Sequence, residues 1–302
     1  MTTTVLHSPE ETEAKLQKLL LEVDDLPSIP ETLMEILKVL DDPDSGPADL
    51  SQVVRLDAPL MARILRLANS PYYSSRGDIT DIQRCVAVLG YRTVRQVAIC
   101  VSVATSVMSA VAVAKGGLDY RELWRHSVVT AAVSKFLAKL AGYPEPEELF
   151  TAGLLHDMGK FVLEIHAPDK YWRLIARRAE TGRTLTEVET EEFGFDHGVL
   201  GEAFGRSWRF PAVLTRSCAE HHQQLDGNPV QGREDLAVAV VSLADYLANT
   251  VEPCRSDLGF DPVVCDASVL HQHAGLTVEQ VERSLPEMHD QIARASAFMD
   301  LG

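Results

Sequence analysis

The sequence predicts an all-α protein built as two helical lobes. Three observations carry that expectation. Apolar residues recur at helical spacing in one segment after another, and cap and stop residues punctuate them at short intervals. No segment alternates apolar and polar residues for long, as a half-buried strand would. Only the β-branched run at 97–107 offers a strand as a competitor.

Residues 1–25 read as an amphipathic helix, with Leu16, Leu19 and Leu20 on one side of acidic neighbours. The helix reads as an appendage or a contact element; few of its apolar residues can join either core, so deleting residues 1–24 should leave the melting temperature nearly unchanged. In LPSIPETLMEILKVLDDPDSG, Ser28 and Glu31 have capping-box spacing, and Leu33, Ile36, Leu37 and Leu40 follow the helical period. DDPDSG stops that helix. Asp57 is the next N-cap, with Pro59 in the first turn and Leu60, Ile64 and Leu67 as the apolar stripe. After the SSRGD loop, Ile82, Cys85, Val86 and Leu89 form another stripe, ended by Gly90. The stretch 97–114 has 18 residues without a charge, between Arg95 and Lys115. It is rich in Ala and Ser and slightly short of the ~20 residues a membrane span needs. A buried core helix near the junction of the lobes is the expectation.

KGGLDY at 115–120 divides the chain. The expected organisation is an N-terminal helix (1–25), a first lobe (26–115), a second lobe (116–250) and a C-terminal helical extension (251–302). Asp119 caps a helix with Glu122 three residues on, which carries Leu123, His126, Thr130, Val133 and Leu137 on one face. EPEELFTAGLLHDMGKFVLEIHAP reads as one helix, acidic where the macrodipole favours it, with Pro168 beyond its end. Asp196 caps HGVLGEAFGRSW, Pro211 opens AVLTRSCAEHH, and DGNP is a turn. An apolar helix at 234–249 carries one interior carboxylate, Asp245. The remainder reads as a loop followed by amphipathic helices.

Bulk composition narrows the function. The formal net charge of −16 argues against a general nucleic-acid surface, which needs a basic footprint. Five scattered cysteines without a C-x-x-C pair suit a reduced, cytoplasmic protein, and the N-terminus lacks the basic-then-apolar order of a signal peptide. There is no glycine-rich phosphate loop, Ser–His–Asp signature or zinc-finger spacing. Trp124, Trp172 and Trp208 read as packing residues, His271 and His273 as part of a solvated loop, and ETEEF as a solvated acidic face.

The chemistry concentrates in TAGLLHDMGK at 151–160. There His156 and Asp157 sit side by side inside the apolar run FTAGLLHDMGKFVL. Burying such groups without partners costs roughly 1–3 kcal/mol each, more for a charge. Hydrogen bonds to neighbouring helices could satisfy them, or a metal ion could. The order His126, His156–Asp157, His197, His221–His222, Asp245 has gaps of 30, 40, 24 and 23 residues, each about one helix and its connection. Separate helices of a bundle can thus each direct a ligand to one centre. Imidazoles and carboxylates without thiolate suit a divalent ion such as Fe or Mn, with Zn, Ni and Mg as alternatives, in one or two copies. Asp157 could bridge two ions that activate water for attack on phosphorus. Lys160, one turn after His156, could hold a phosphate oxygen. His221 and His222 are adjacent on a helix, so at least one could serve the loop instead.

This order, with HDMGK, resembles the HD superfamily of metal-dependent phosphohydrolases. Its HD-GYP branch continues to Gly-Tyr-Pro where this chain reads HHQQLDGNP. LPSIPETLMEIL, LDAPLMARILRLANSPYY, ITDIQRCVAVLGYRTVRQVA, LWRHSVVTAA, FTAGLLHDMGKFVL and FDHGVLGEAF together are similar to the HDOD domain, the HD-related output domain, over about residues 25–250. The resemblance implies a two-lobed, all-helical architecture with an HD-like bundle as second lobe. It also implies a regulatory output role in bacterial signal transduction, beside receiver, GGDEF or EAL modules. Many such domains have a degraded metal set, whereas this chain keeps all seven candidate ligands. Three functions follow: a regulatory module that binds metal, with or without a nucleotide; an active phosphohydrolase or phosphodiesterase acting on a nucleotide or cyclic dinucleotide, with Asp157 and Lys160 catalytic; or an interaction domain without ligand. No receiver or GGDEF module lies within the sequence, so partners are expected in trans.

Overall fold

Helical periodicity becomes helix throughout the computed structural model, which describes residues 9–22, 29–73, 78–114, 119–223, 230–251 and 267–301. The chain begins with α1 (Pro9–Glu22), α2 (Glu31–Asp41), α3 (Pro47–Arg55), α4 (Ala58–Ala68), α5 (Ile82–Leu89) and α6 (Tyr91–Ala114). There follow α7 (Tyr120–Leu140), α8 (Pro146–Leu155), α9 (Met158–His166), α10 (Pro168–Thr181), α11 (Leu185–Phe193), α12 (His197–Ser207), α13 (Ala212–Glu220) and α14 (Arg233–Val251). Last come α15 (Ala267–His273), α16 (Val278–Arg283), α17 (Leu285–Arg294) and a 3-10 helix (Ala295–Leu301). No strand occurs among the described residues. The run at 97–107 lies inside α6, with Val97, Ile99, Val101, Val103 and Val107 all buried.

Local chemistry sets the boundaries. The carboxylates of Asp57, Asp81, Asp119 and Asp196 each accept from a backbone N–H in the first turn of the helix they precede, and so satisfy a donor that the helix leaves open. Gly90 closes α5 at φ 88°, a conformation a side chain resists. The start of α2 has Pro30 as N-cap and no side-chain cap. Ser28, residues 115–118 of the expected lobe boundary and the DGNP turn lie outside the described residues, as do the side chains of Leu20 and Leu40.

The stripes of the first lobe converge, burying Leu33, Ile36, Leu50, Ile64, Leu67 and Ile82. In the second lobe α7 packs against α8 and α14, and α12 packs against α9 and α13. The long α6 joins the two, touching α2, α4 and α5 on one side and α8 and α9 on the other. It is the one described helix long and apolar enough to cross a membrane, yet 67% of its apolar window is buried within the protein. That is the packing of a core helix.

Two expectations are corrected, and the C-terminal extension gains a place. The N-terminal helix is not a detached appendage: Leu16 and Leu19 are buried, α1 packs on α12, and Thr12 Oγ1 donates to the Gly194 carbonyl at 3.1 Å. Each buried leucine contributes about 1.5–3 kcal/mol, so removing this helix destabilises the protein. The single helix expected from Pro146 onward is two, α8 and α9, broken at His156–Asp157. The C-terminal extension is woven into the junction of the lobes. Phe298 is fully buried, its ring 5.2 Å from Tyr72 of the first lobe and 4.6 Å from Phe150 of the second. Its carbonyl accepts from Trp124 Nε1 at 3.0 Å.

Phe298→Ala should therefore cost about 3–5 kcal/mol, the range for truncating a buried phenylalanine, as read by urea denaturation. A loss below about 1 kcal/mol would mean the extension is peripheral after all.

Candidate metal centre

The interruption between α8 and α9 places the key pair. His156 and Asp157 form the turn, with Asp157 at φ −94°, ψ 16°, in the bridge region that active-site residues often occupy. Both are fully buried. The turn is tight because α9 approaches the start of α12 at Gly159. A Cβ there would lie 1.9 Å from the His197 carbonyl oxygen, so only glycine permits the contact.

Around this turn the helices bring together every ligand expected from the sequence. His126 comes from α7, His197 is the first residue of α12, His221 and His222 follow α13, and Asp245 comes from α14. Asp157 is the centre. Its Oδ2 lies 3.4 Å from His156 Nε2, 3.8 Å from His126 Nε2 and 2.8 Å from Lys160 Nζ. Its Oδ1 lies 3.5 Å from both His197 Nε2 and His221 Nε2. Asp245 Oδ1 is 2.9 Å from His126 Nε2 and 3.7 Å from His156 Nε2. Two groups of candidate ligand atoms result, each mutually within 4.8 Å: His126, His156 and Asp157, and Asp157, His197, His221 and His222. Asp157 belongs to both.

Both histidines of the HH pair join the cluster, so neither is left to the loop. Their ring centroids are 4.0 Å apart, and His222 lies 5.0 Å from His197. Both residues of the pair follow the last residue of α13, Glu220, and lie in a turn rather than within the helix.

Hydrogen bonds fix how the rings point. His156 Nδ1 donates to the Gly153 carbonyl at 2.7 Å, His221 Nδ1 to the Cys218 carbonyl at 2.8 Å, and His197 Nδ1 to Glu189 Oε2 at 2.6 Å. Oxygens that accept at these positions leave each Nδ1 carrying the hydrogen, and the neutral rings of His197 and His221 turn an Nε2 lone pair inward. For His197 and His221 that lone pair faces a carboxylate oxygen of Asp157. An acceptor facing an acceptor in a dry core needs a cation between them.

The charge balance agrees. Burial disfavours a charged Asp157, but His156, Lys160, His221 and His197 outweigh it and hold the carboxyl well below its usual value. His126 and His156 do the same for Asp245. Burial pushes His126, His221 and His222 below the ordinary imidazole value. His156 goes up, because the carboxylates of Asp157 and Asp245 overcome its burial. Among the described residues, His156 Nε2, His221 Nε2, His222 Nε2 and Asp157 Oδ1 are buried without a hydrogen-bond partner. At about 1–3 kcal/mol each, an oxygen of the carboxylate and three imidazole nitrogens beside it left in this way suit a bound ion. The imidazole and carboxylate donor set fits a divalent metal.

Lys160 is 2% exposed and ion-paired with Asp157, so its ammonium belongs to the centre rather than to a surface. The reading of ETEEF as a solvated face is wrong for its first residue. Glu191 and Glu192 pair with Arg177, Arg183 and Lys170, but Glu189 is fully buried and accepts from His197 N at 2.8 Å, His197 Nδ1 and Tyr171 Oη at 2.8 Å. Burial pushes its carboxyl up, while the donors His197 and Tyr171 and the cation of Lys160 favour the carboxylate. The signal was present, since Glu189 continues the i, i+3, i+4 face of Leu185 and Val188. His271 is buried on α15 rather than in a solvated loop, and Trp172 is 41% exposed rather than packed.

Because Gly159 sets the distance between α9 and His197, Gly159→Ala should push His197 away from Asp157. It should cost about 1–3 kcal/mol as an overpacking change and lower the metal content of the purified protein. Undiminished metal content with unchanged stability would contradict the close approach.

Comparison with known proteins places this geometry. The HDOD domain family model matches residues 26–224. An uncharacterized protein of Treponema pallidum (strain Nichols) is 24% identical over 201 residues, 66% of this chain. The chain spans 38% of that relative's length. The fold is similar to an HDOD domain protein of unknown function from Geobacter sulfurreducens, with TM-score 0.76, 24% identity, and 98% and 99% of the two chains covered. It is also similar to a candidate phosphohydrolase from Shewanella amazonensis SB2B, with TM-score 0.71, 25% identity, and 93% and 97% covered. With the family pattern matched across both lobes, and the helical fold shared from end to end, this chain belongs to the HDOD family.

Proposed function

We propose that this HDOD protein is a cytoplasmic regulatory module of bacterial signal transduction whose second lobe binds a divalent metal. The observation that carries this reading is the meeting of two ligand groups on one buried carboxylate, Asp157. His126, His156 and Asp245 would hold an ion on its Oδ2 side, and His197, His221 and His222 one on its Oδ1 side. Fe or Mn suits the donors best. Lys160 balances the charge of Asp157 and limits how many cations the centre needs.

The regulatory character rests on where the cluster lies. The turn that carries His156 and Asp157 joins α8 and α9, both packed directly on α6, the helix shared with the first lobe. Occupancy at Asp157 therefore bears on the arrangement of the lobes, and a change there can be read by a partner. Receiver, GGDEF or EAL proteins acting in trans are the partners proposed, with a nucleotide as a further ligand.

A second reading, a metal-dependent phosphohydrolase or phosphodiesterase, has its own support. A carboxylate shared by two metal ligand groups is the arrangement that activates water for attack on phosphorus, and Lys160 supplies a cation in the same pocket. A bound metal would contribute the Lewis acid. The chain's own part is to hold the imidazole lone pairs inward and to exclude bulk water from Asp157.

Chelation should lower the melting temperature, and Mn or Fe should restore it, by about 2.7 kcal/mol at a hundredfold excess over Kd. Asp157→Ala should abolish that response. Metal-loaded wild type should hydrolyse bis-p-nitrophenyl phosphate and cyclic di-GMP no faster than Asp157→Ala. Hydrolysis lost in both Asp157→Ala and Lys160→Ala would instead establish the catalytic reading.

A further inference from the structure

One buried carboxylate near the centre has no place among the candidate ligands. Glu189, on α11, reaches the first residue of α12 and grips it twice, through the backbone N–H and through ring Nδ1 of His197. Its other oxygen accepts from Tyr171 of α10 at 2.8 Å. All three neighbours donate, so the carboxylate has one orientation and His197 has one tautomer. By comparison, His156 and His221 lean on backbone carbonyls, which are weaker acceptors than a carboxylate.

We propose that Glu189 is a positioning residue that sets the metal affinity of the His197 side of the centre, an inference that rests on the metal-binding reading above. A carboxylate on the far nitrogen of a ligating histidine fixes the ring and raises the basicity of the inward nitrogen. Removing such a partner typically weakens metal binding by about 10–100-fold. Both hydrogen bonds from Glu189 toward the centre go to His197, while Lys160 and Asp157 act on its charge, so the effect falls first on the ion held by His197, His221 and His222. The binding step that uses His126, His156 and Asp245 is the less affected. Tyr171 anchors the carboxylate and shares the role to a smaller degree.

The test is titration of the chelator-stripped full-length chain with Mn(II) by calorimetry and with Co(II) by visible absorption. Glu189→Ala should weaken one binding step by about 10–100-fold and leave the other within about twofold of wild type. Glu189→Gln keeps an acceptor and its volume but loses the charge, and should weaken the same step by a smaller factor. In a His197→Ala background, Glu189→Gln should cause no further loss. Wild-type affinity at both steps in Glu189→Gln and Glu189→Ala overturns the proposal while leaving the metal centre standing. If Glu189→Ala does not fold, Glu189→Gln alone decides in the same way. Equal weakening of both steps also overturns it, because that reports general loosening. A wild-type chain that takes up neither metal overturns the metal-binding reading and this proposal together.

Discussion

A fully buried carboxylate, Asp157, is the constraint around which the second lobe is arranged. A charge with no access to water is costly unless it is paired and hydrogen-bonded. Here Lys160 lies on one oxygen at 2.8 Å, while inward imidazole nitrogens surround both. The helices that bear those groups must therefore converge on one point, where α7 and α14 pass mid-helix and the others end or turn. That requirement explains the break between α8 and α9, the start of α12 at His197, and the end of α13 at His221. It also explains why Gly159 cannot bear a side chain.

The same arrangement ties chemistry to architecture. The ligands come from α7, the α8–α9 turn, α12, the end of α13 and α14, so holding them together holds the bundle together. Because α8 and α9 lie on α6, the centre is one layer of packing away from the first lobe. The C-terminal segment closes the opposite seam, where Phe298 sits between Tyr72 and Phe150 and Lys135 lies over the Tyr72 ring at 4.3 Å. Cores of this density respond to local change by repacking rather than by diffuse softening, which suits a module that reports the state of its centre.

Much of this was legible in the sequence, for identifiable reasons. Caps such as Asp57, Asp119 and Asp196 act within one turn and can be read locally. The spacing of the histidines gave the convergence, because each gap matches one helix. What was missed depended on long-range packing. The α8–α9 break has no proline and is fixed by the contact of Gly159 with His197, some forty residues away. The burial of Leu16 and Leu19 depends on α12, and that of Phe298 on both lobes. Glu189 was misread because ETEEF is acidic in bulk, whereas only the helical face it shares with Leu185 and Val188 reveals that it points inward. His221 and His222 could both be counted as candidates, but that both reach the cluster depends on α13 ending at Glu220, just before them.

The central claim is that Asp157 is the carboxylate shared by two metal-binding groups. Anomalous diffraction at the Mn and Fe absorption edges, from crystals of protein purified without a metal-affinity tag, tests it most directly. The account predicts anomalous density against both carboxylate oxygens of Asp157, bounded on one side by His126 and His156 and on the other by His197 and His221. Density confined to surface histidines, with none at Asp157 after soaking in either metal, would contradict it.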